Sequence, residues 1–214
     1  VIIKKIRIDT SDDFQVDIDE MDLHFNSDPK TNWIKRPFES EPNFSLNDPQ
    51  TQYHQGFELM EDREYEKAKE VFNKVLTIDP FHQLTLLALA EMEYKSGLYE
   101  NAIDFVNRVL KQDTYHPRAN FQAGTVYRAM NDNINALESL GWAARSLEFR
   151  SAAYGQMAEI YIAQNEFSKA LQYVQKSLDF NRFNINALQA GLIAGRKTMQ
   201  AIIIENYKNE LYDI

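Results

Sequence analysis

The chain has 214 residues, 44% of them hydrophobic, a formal net charge of −9 and no cysteine. That suffices for one elongated domain, or a domain with an appendage. It argues against a nucleic-acid partner, because phosphate backbones are held by Lys and Arg, and it excludes disulfides and thiolate metal sites while leaving the compartment open, with the cytoplasm favoured.

Residues 1 to 25 alternate apolar and charged side chains: Ile6 and Ile8, then Phe14, Val16 and Ile18, then Met21, Leu23 and Phe25. A period of two means strands with one buried face. So few short strands cannot build a core of their own. They are expected to pack on the helices, to pair with another chain or to belong to an upstream β domain, and the last reading is favoured. The chain starts at Val1 without a signal-like segment, which fits a piece of a longer or processed protein.

Residues 26 to 49 read as a linker. Four of the six prolines fall here, Pro29, Pro37, Pro42 and Pro49, and no apolar period survives. Trp33, Ile34 and Phe38 are too apolar for a free tether and are expected to dock on the first helical hairpin.

From residue 50 the pattern changes. Ala68, Ala102, Ala136 and Ala170 are spaced by 34 residues. Tyr65, Tyr99, Asn133 and Phe167 precede them, and Phe72, Val106, Leu140 and Val174 follow them, at fixed offsets. Gly56, Ala90, Gly124 and Ala158 form a second small-residue series. A fixed period with small residues at two set places is the mark of stacked helical hairpins, and the apolar spacing supplies the stripe each helix buries.

The periodicity predicts helices near 50–62 and 65–78, 83–96 and 99–112, 117–130 and 134–147, and 151–164 and 167–180. Asp79-Pro80 and Asn181 to Asn184 are stops. Ala144 to Ala153 contains neither Pro nor Gly, so a helix there should run further than usual, with Ser151 capping the next. A degenerate fifth hairpin over 185–214 starts with Ala187, Leu188, Gly191 and Leu192 and places Ile204 where the alanine should be. As a terminal unit it should show a polar outer face.

These residues resemble the tetratricopeptide repeat family. The resemblance covers residues 49 to 200, with repeats at 49–82, 83–116, 117–150 and 151–184 and the terminal hairpin after them. The family's closing proline appears only as Pro80, replaced elsewhere by Thr114, Glu148 and Arg182. The resemblance implies an all-α, right-handed superhelix of helical hairpins with a short β-like N-terminal extension. It implies a concave groove lined by the first helix of each hairpin. Repeat register puts Tyr53, Phe57 and Met60 there, then Leu87, Glu91, Tyr94 and Lys95. Repeat three adds Arg118, Phe121, Thr125 and Arg128, and repeat four adds Gly155, Glu159 and Ile162. An aromatic floor with two arginines suits a peptide with apolar anchors and a carboxylate. The occupant would be a partner protein or peptide, or the chain's own upstream domain or linker. The lysine and asparagine clamp by which some members hold chaperone tails is missing, with Tyr53, Phe57, Ala88 and Gln122 in its places. The stretch Arg150 to Tyr154, Ser177 to Asp179 and Asn181 to Asn184 is similar to the repeat segment that follows a β-sandwich domain in large bacterial proteins, some of them related to carbohydrate metabolism.

No arrangement of catalytic residues stands out. His82 and His116 share a turn position one repeat apart but lack further ligands for zinc. Asp17, Asp19, Glu20 and Asp22 lack the glycine and distal glutamate of a calcium loop. Glu91 and Glu159 sit two repeats apart, too far for paired acid–base work. No phosphate loop or strained nucleophile turn appears. No apolar run is long enough to span a membrane. The aromatic residues Tyr65, Phe72, Tyr99, Phe105, Tyr127, Tyr161 and Phe167 are assigned to the core. The expectation is a non-catalytic scaffold without cofactor or metal. The alternatives are an accessory domain of a larger carbohydrate-related protein and a homo-oligomerisation module built on exposed strand edges.

Overall fold

The structure, a computed structural model, describes residues 47–212, apart from the Ala201 side chain, and the backbone of three earlier strands. The chain divides into two compact units, Val1–Leu46 and Asn47–Ile214.

In the first unit, β1 (Phe14–Ile18), β2 (Met21–Phe25) and β3 (Trp33–Lys35) form an antiparallel sheet in the order β1-β2-β3. Phe14, Val16 and Ile18 pair with Phe25, Leu23 and Met21, so the apolar positions of β1 and β2 share one face. Ile6 and Ile8 lie outside the described residues. The linker expectation is corrected at Trp33–Lys35, where pairing with Asp22–His24 makes a strand. Three residues are too few for alternation to show as a pattern. The expected docking of Trp33, Ile34 and Phe38 concerns side chains outside those described.

The second unit is a solenoid of five helical hairpins. They are α1 (Pro49–Glu61) with α2 (Tyr65–Ile78), α3 (Gln83–Lys95) with α4 (Tyr99–Leu110), and α5 (Pro117–Ala129) with α6 (Asn133–Ala143). Then come α7 (Leu147–Ala163) with α8 (Phe167–Phe180) and α9 (Ile185–Lys197) with α10 (Ala201–Tyr212). Successive first helices touch, α1 with α3, α3 with α5, α5 with α7 and α7 with α9, whereas no second helix touches another second helix. The stack therefore closes on the first-helix side and opens on the second-helix side.

Two local signals recur at the repeat period. Each hairpin turns through one left-handed residue, Arg63, Gly97, Asn131, Asn165 or Met199, with φ between 57° and 76°. The five are evenly spaced, so backbone register holds through the turn of the fifth hairpin. Between hairpins, Asp48, His82, His116 and Asn184 cap α1, α3, α5 and α9, each side chain accepting an N–H of the first turn. The paired turn histidines are thus helix caps. Three of these junctions also carry a side-chain-to-backbone turn: Phe81, Tyr115 and Phe183 donate their N–H groups to Asp79, Asp113 and Asn181.

The remaining junction differs, and corrects the expectation of an overrunning third second-helix. Helix α6 stops at Ala143, and it is α7 that starts early, at Leu147, becoming the longest helix at 17 residues. Leu147 stands where the other junctions have Asp or Asn and cannot make the turn. Arg150 stands in the capping position and instead donates to the carbonyls of Ala144 and Arg145, satisfying the end of α6. Ser151 is no cap; its hydroxyl donates to Ser177 O in a buried cluster with Asn184.

Within each hairpin the core is a matched pair. A Cβ on Gly56 would meet Phe72 at 2.6 Å, and one on Gly124 would meet Leu140 at 2.6 Å. Where the partner is Val106 or Val174, alanine fits instead, as Ala90 and Ala158, all four of them buried. In the fifth hairpin the lock slips by one residue and Tyr207 packs on Gly191. The in-register residues are Leu192 and Lys208, and a lysine does not enter a dry helix crossing. The expected polar outer face is also corrected: Ile193, Met199 and Ile202 are exposed on this hairpin. Tyr65, assigned to the core, is 46% exposed.

Candidate functional site

The concave side of the solenoid holds a cleft of about 320 Å³ between α3, α5 and α7. Glu91, Tyr94 and Lys95 of α3 form one wall, Arg118, Phe121, Gln122 and Thr125 of α5 the floor, and Phe149 of α7 the opposite edge. Six of the residues expected in the groove therefore meet in one place: Glu91, Tyr94, Lys95, Arg118, Phe121 and Thr125. Spacing explains this, since residues three or four apart on a helix share a face.

The other groove residues go elsewhere. Tyr53 and Leu87 are corrections: both are buried, at 8% and 1% exposure. Tyr53 packs against Phe72 and His82, and Leu87 lies in the α3–α5 core beside Val106 and Ala123. Phe57 is partly buried against the same cluster as Tyr53, and Ile162 against the α8–α9 core. Gly155 is buried next to Asn184 and Ser177. Arg128 and Glu159 neutralise each other in an ion pair from α5 to α7. Met60 lines an adjoining cleft of about 400 Å³ with Tyr65, Lys69 and Glu93. Glu91 and Lys95 line both clefts.

Phe149 was not among the residues the repeat register selects. It occupies the same repeat position as Phe81, Tyr115 and Phe183, which are more than half exposed at the outer ends of their junctions. The early start of α7 brings Phe149 onto Phe121, ring centroids 5.2 Å apart. The signal in the sequence is Leu147 and Arg150 replacing the turn and cap residues.

The polar groups of the cleft are fixed from behind. Thr125 donates to Phe121 O at 2.9 Å and receives the Gln156 amide at 2.9 Å. Gln122 donates to Leu87 O at 3.2 Å, tying α5 to α3. Lys95 pairs with Glu91 at 2.7 Å, which raises the lysine pKa against the opposing effect of burial. Arg118 is exposed and has no carboxylate in ion-pair reach among the described residues. Burial pushes the Tyr53 phenol up, with Arg118 pulling it down and Glu91 adding to the rise.

Among the described residues no group of three His, Asp or Glu side chains is placed to hold a metal ion, and no helix is long and apolar enough to cross a membrane. Glu91 and Glu159, weighed above as an acid–base pair, are each bound to a cation on the groove face. What the arrangement offers is an apolar slot with fixed walls and one unpaired cation.

These features define a solenoid of helical hairpins with a first-helix groove. Residues 151–184 match the tetratricopeptide repeat. Residues 58–162 match a helical-repeat family described as the TT21 fifth ARM repeats domain. The fold is similar to that of MamA, with a TM-score of 0.66 and 20% identity over 78% of this chain and 91% of that one. It is similar to PilF of Pseudomonas aeruginosa, with a TM-score of 0.72 and 18% identity over 77% of this chain and 75% of that one. It is also similar to YrrB, described as a TPR protein with an unusual peptide-binding site, with a TM-score of 0.62 and 15% identity over 79% and 87%. Comparison with curated protein sequences gave no match.

Proposed function

We infer that this chain is a protein-interaction scaffold that takes an extended segment of a partner protein into the α3–α5–α7 cleft. The observation that carries this reading is the Phe121–Phe149 pair, half-buried on the concave face and created by a local departure from the repeat. An aromatic pair in a rigid slot is an anchor for an apolar side chain. A second cleft adjoins the first at Glu91 and Lys95, and two neighbouring clefts on one face suit an extended chain better than a compact small molecule. YrrB, a fold relative, is described as having a peptide-binding site.

Selection of random heptapeptides displayed on phage tests the reading, with the full chain and its Phe149→Ala variant as baits. The expected result is a shared apolar residue in peptides selected by the wild-type chain, absent when Phe149 is truncated. No enrichment, or the same enrichment on both baits, would overturn the cleft as the binding site. Phe149 is half-buried and packs against the α6–α7 core, so an unchanged melting temperature of Phe149→Ala is the control that separates lost binding from lost packing.

A further inference from the structure

We propose that the junction edge of the solenoid, where one hairpin passes to the next, is a membrane-contact surface. It rests on a bilayer of anionic lipids, with Leu147, Phe180, Phe183 and Ile185 in the apolar boundary and the neighbouring arginines among the headgroup phosphates. This is a second surface beside the cleft and does not depend on what the cleft binds.

Three observations lead there. The first is segregation of charge. The two helices of a hairpin run antiparallel, so the turns gather at one edge and the junctions at the other. Hydrogen bonds tie neighbouring junctions into a row: Arg108 donates to Pro80 O at 2.8 Å, the Gln112 amide to Phe81 O at 3.2 Å and the Asn184 amide to Ser151 Oγ at 3.1 Å. All five ion pairs among the described residues lie in the turn halves of their hairpins, Lys69–Glu93 and Arg128–Glu159 among them. Arg108, Lys111, Arg145, Arg150 and Arg182 stand at the junction edge, and none has a carboxylate in ion-pair reach among the described residues. Of the carboxylates at this edge, Asp48, Asp79 and Asp113 accept backbone N–H groups and Asp179 accepts the Gln175 amide, which leaves Glu148 exposed among the arginines. A chain of net charge −9 thus carries a basic row along one edge.

The second is an apolar patch in that row. Leu147, Phe180, Phe183 and Ile185 line one open depression of about 440 Å³. The first three are more than half exposed and Ile185 nearly half. A contiguous exposed patch of this kind, rimmed by polar residues, marks a contact with a protein or a membrane. The repeat does not ask for a ring at Phe180, because Gln112 and Ser146 hold its place in the two preceding repeats.

The third is the pairing of rings with guanidinium groups. Arg150 lies over Phe180 at 4.7 Å, Arg182 over Phe183 at 4.9 Å and Arg145 over Trp142 at 4.2 Å. Apolar bodies and cationic heads therefore sit side by side at one level, the layering that the lipid boundary itself has. Protein hot spots sit in desolvated pockets. Here the rings stand out from turns around an open depression, which suits a surface that deforms around them.

Sedimentation of the full chain with extruded vesicles tests the proposal, with phosphatidylcholine alone compared with phosphatidylcholine containing about one third phosphatidylglycerol. The chain should sediment with the anionic vesicles and little with the neutral ones. Each arginine at an anionic surface is worth about fivefold in binding. The double variant Arg145→Gln with Arg182→Gln should therefore bind about thirtyfold more weakly. Phe183→Ser with Ile185→Ser should also weaken binding, and high salt should abolish what remains, because only screened charge is left. Ile134→Ser, an exposed apolar residue at the turn edge, should change nothing. In Phe183→Trp, brominated lipid should quench the new fluorescence. Failure to sediment with anionic vesicles, or binding untouched by both junction-edge variants, would overturn the proposal. Retention on immobilised polyglutamate without vesicle binding would overturn it in favour of an acidic protein partner. The substituted residues are exposed, and unchanged melting temperatures separate these outcomes from misfolding. The peptide selection reads the cleft separately, so either reading can fail alone.

Discussion

Gly124 and Leu140 interlock across the third hairpin: a Cβ on the glycine would fall 2.6 Å from Leu140 Cγ. The pair has a counterpart in every repeat, with glycine facing Phe72 and alanine facing Val106 or Val174. Helix separation at the crossing is therefore set by the sum of the two side chains. Gly124→Ala should destabilise by about 1–3 kcal/mol through overpacking. Leu140→Val should cost about 1 kcal/mol alone by leaving a small void. The double variant reproduces the Ala90–Val106 solution and should be more stable than the sum of the two losses. A double-mutant cycle by urea unfolding reads the coupling, and additive losses would mean that the crossing does not set the spacing.

Much of the solenoid was legible because this matching repeats. Small residues at a fixed period announce close crossings, and the apolar stripes follow. The register fixed the helices of the first two hairpins to within two residues. What stayed hidden has physical reasons. Tyr53 and Leu87 occupy groove positions by register but turn inward: Leu87 because α3 is buried on most of its circumference, Tyr53 because its ring packs on Phe72 and His82. Tyr207 rather than Lys208 fills the last crossing, a slip that one chain's spacing does not show. Phe149 enters the cleft only because a turn became helix.

The left-handed turn residues offer a second test. Met199 and Arg63 adopt φ of 57° and 63°, a region that costs a side chain with Cβ about 1–2 kcal/mol. Gly97 fills the same place in the second hairpin without that cost, and Asn131 and Asn165 tolerate it. Glycine gives back about 0.5–1 kcal/mol through unfolded-chain entropy. Met199→Gly and Arg63→Gly should therefore each raise stability by up to about 1 kcal/mol. Calorimetric melting checks the sign; a lower melting temperature for both would contradict the turn assignment.

His116 caps α5, the helix that carries Arg118 and Phe121, by accepting the Ala119 N–H at 3.2 Å. His116→Ala should cost about 0.5–2 kcal/mol. His116→Asn should restore most of it, because Asn184 does the same work at α9, accepting from Ala187 at 3.2 Å. Equal loss in both variants would show that the ring matters through packing and not through the cap.

Glu93 is nearly fully buried, bound by Lys69 and Asn101. The Lys69 ammonium lowers its pKa, against the opposing effect of burial, with Asn101 helping. A depressed folded-state pKa means that the unfolded chain binds the proton more readily. The stabilisation is then complete above the ordinary carboxylate range, near pH 4.3, and fades as pH falls through the lower folded-state value. Lys69→Met should shrink or invert that acid limb of the stability–pH curve while lowering stability at neutral pH. An acid limb identical to that of the wild-type chain would remove the Lys69–Glu93 pair as its source.

The cleft itself hangs on one junction. Asp79, Asp113 and Asn181 each take the N–H two residues on, and His82, His116 and Asn184 cap the next helix. Leu147 and Arg150 do neither, so α7 gains a turn and Phe149 reaches Phe121. Restoring both signals in Leu147→Asp with Arg150→His should return the segment to a turn and start α7 near residue 151. Leu147 is 76% exposed, so its change leaves the core untouched. Hydrogen exchange should quicken at the amides from 150 to 153, whose helical partners are lost, and remain slow in α3 and α5. The variant should also lose the peptides that the wild-type chain selects, as Phe149→Ala does. If the extra turn stays protected in the double variant, the helix start is dictated by packing of α7 on α5. If exchange quickens but selection persists, the anchor lies elsewhere on the groove.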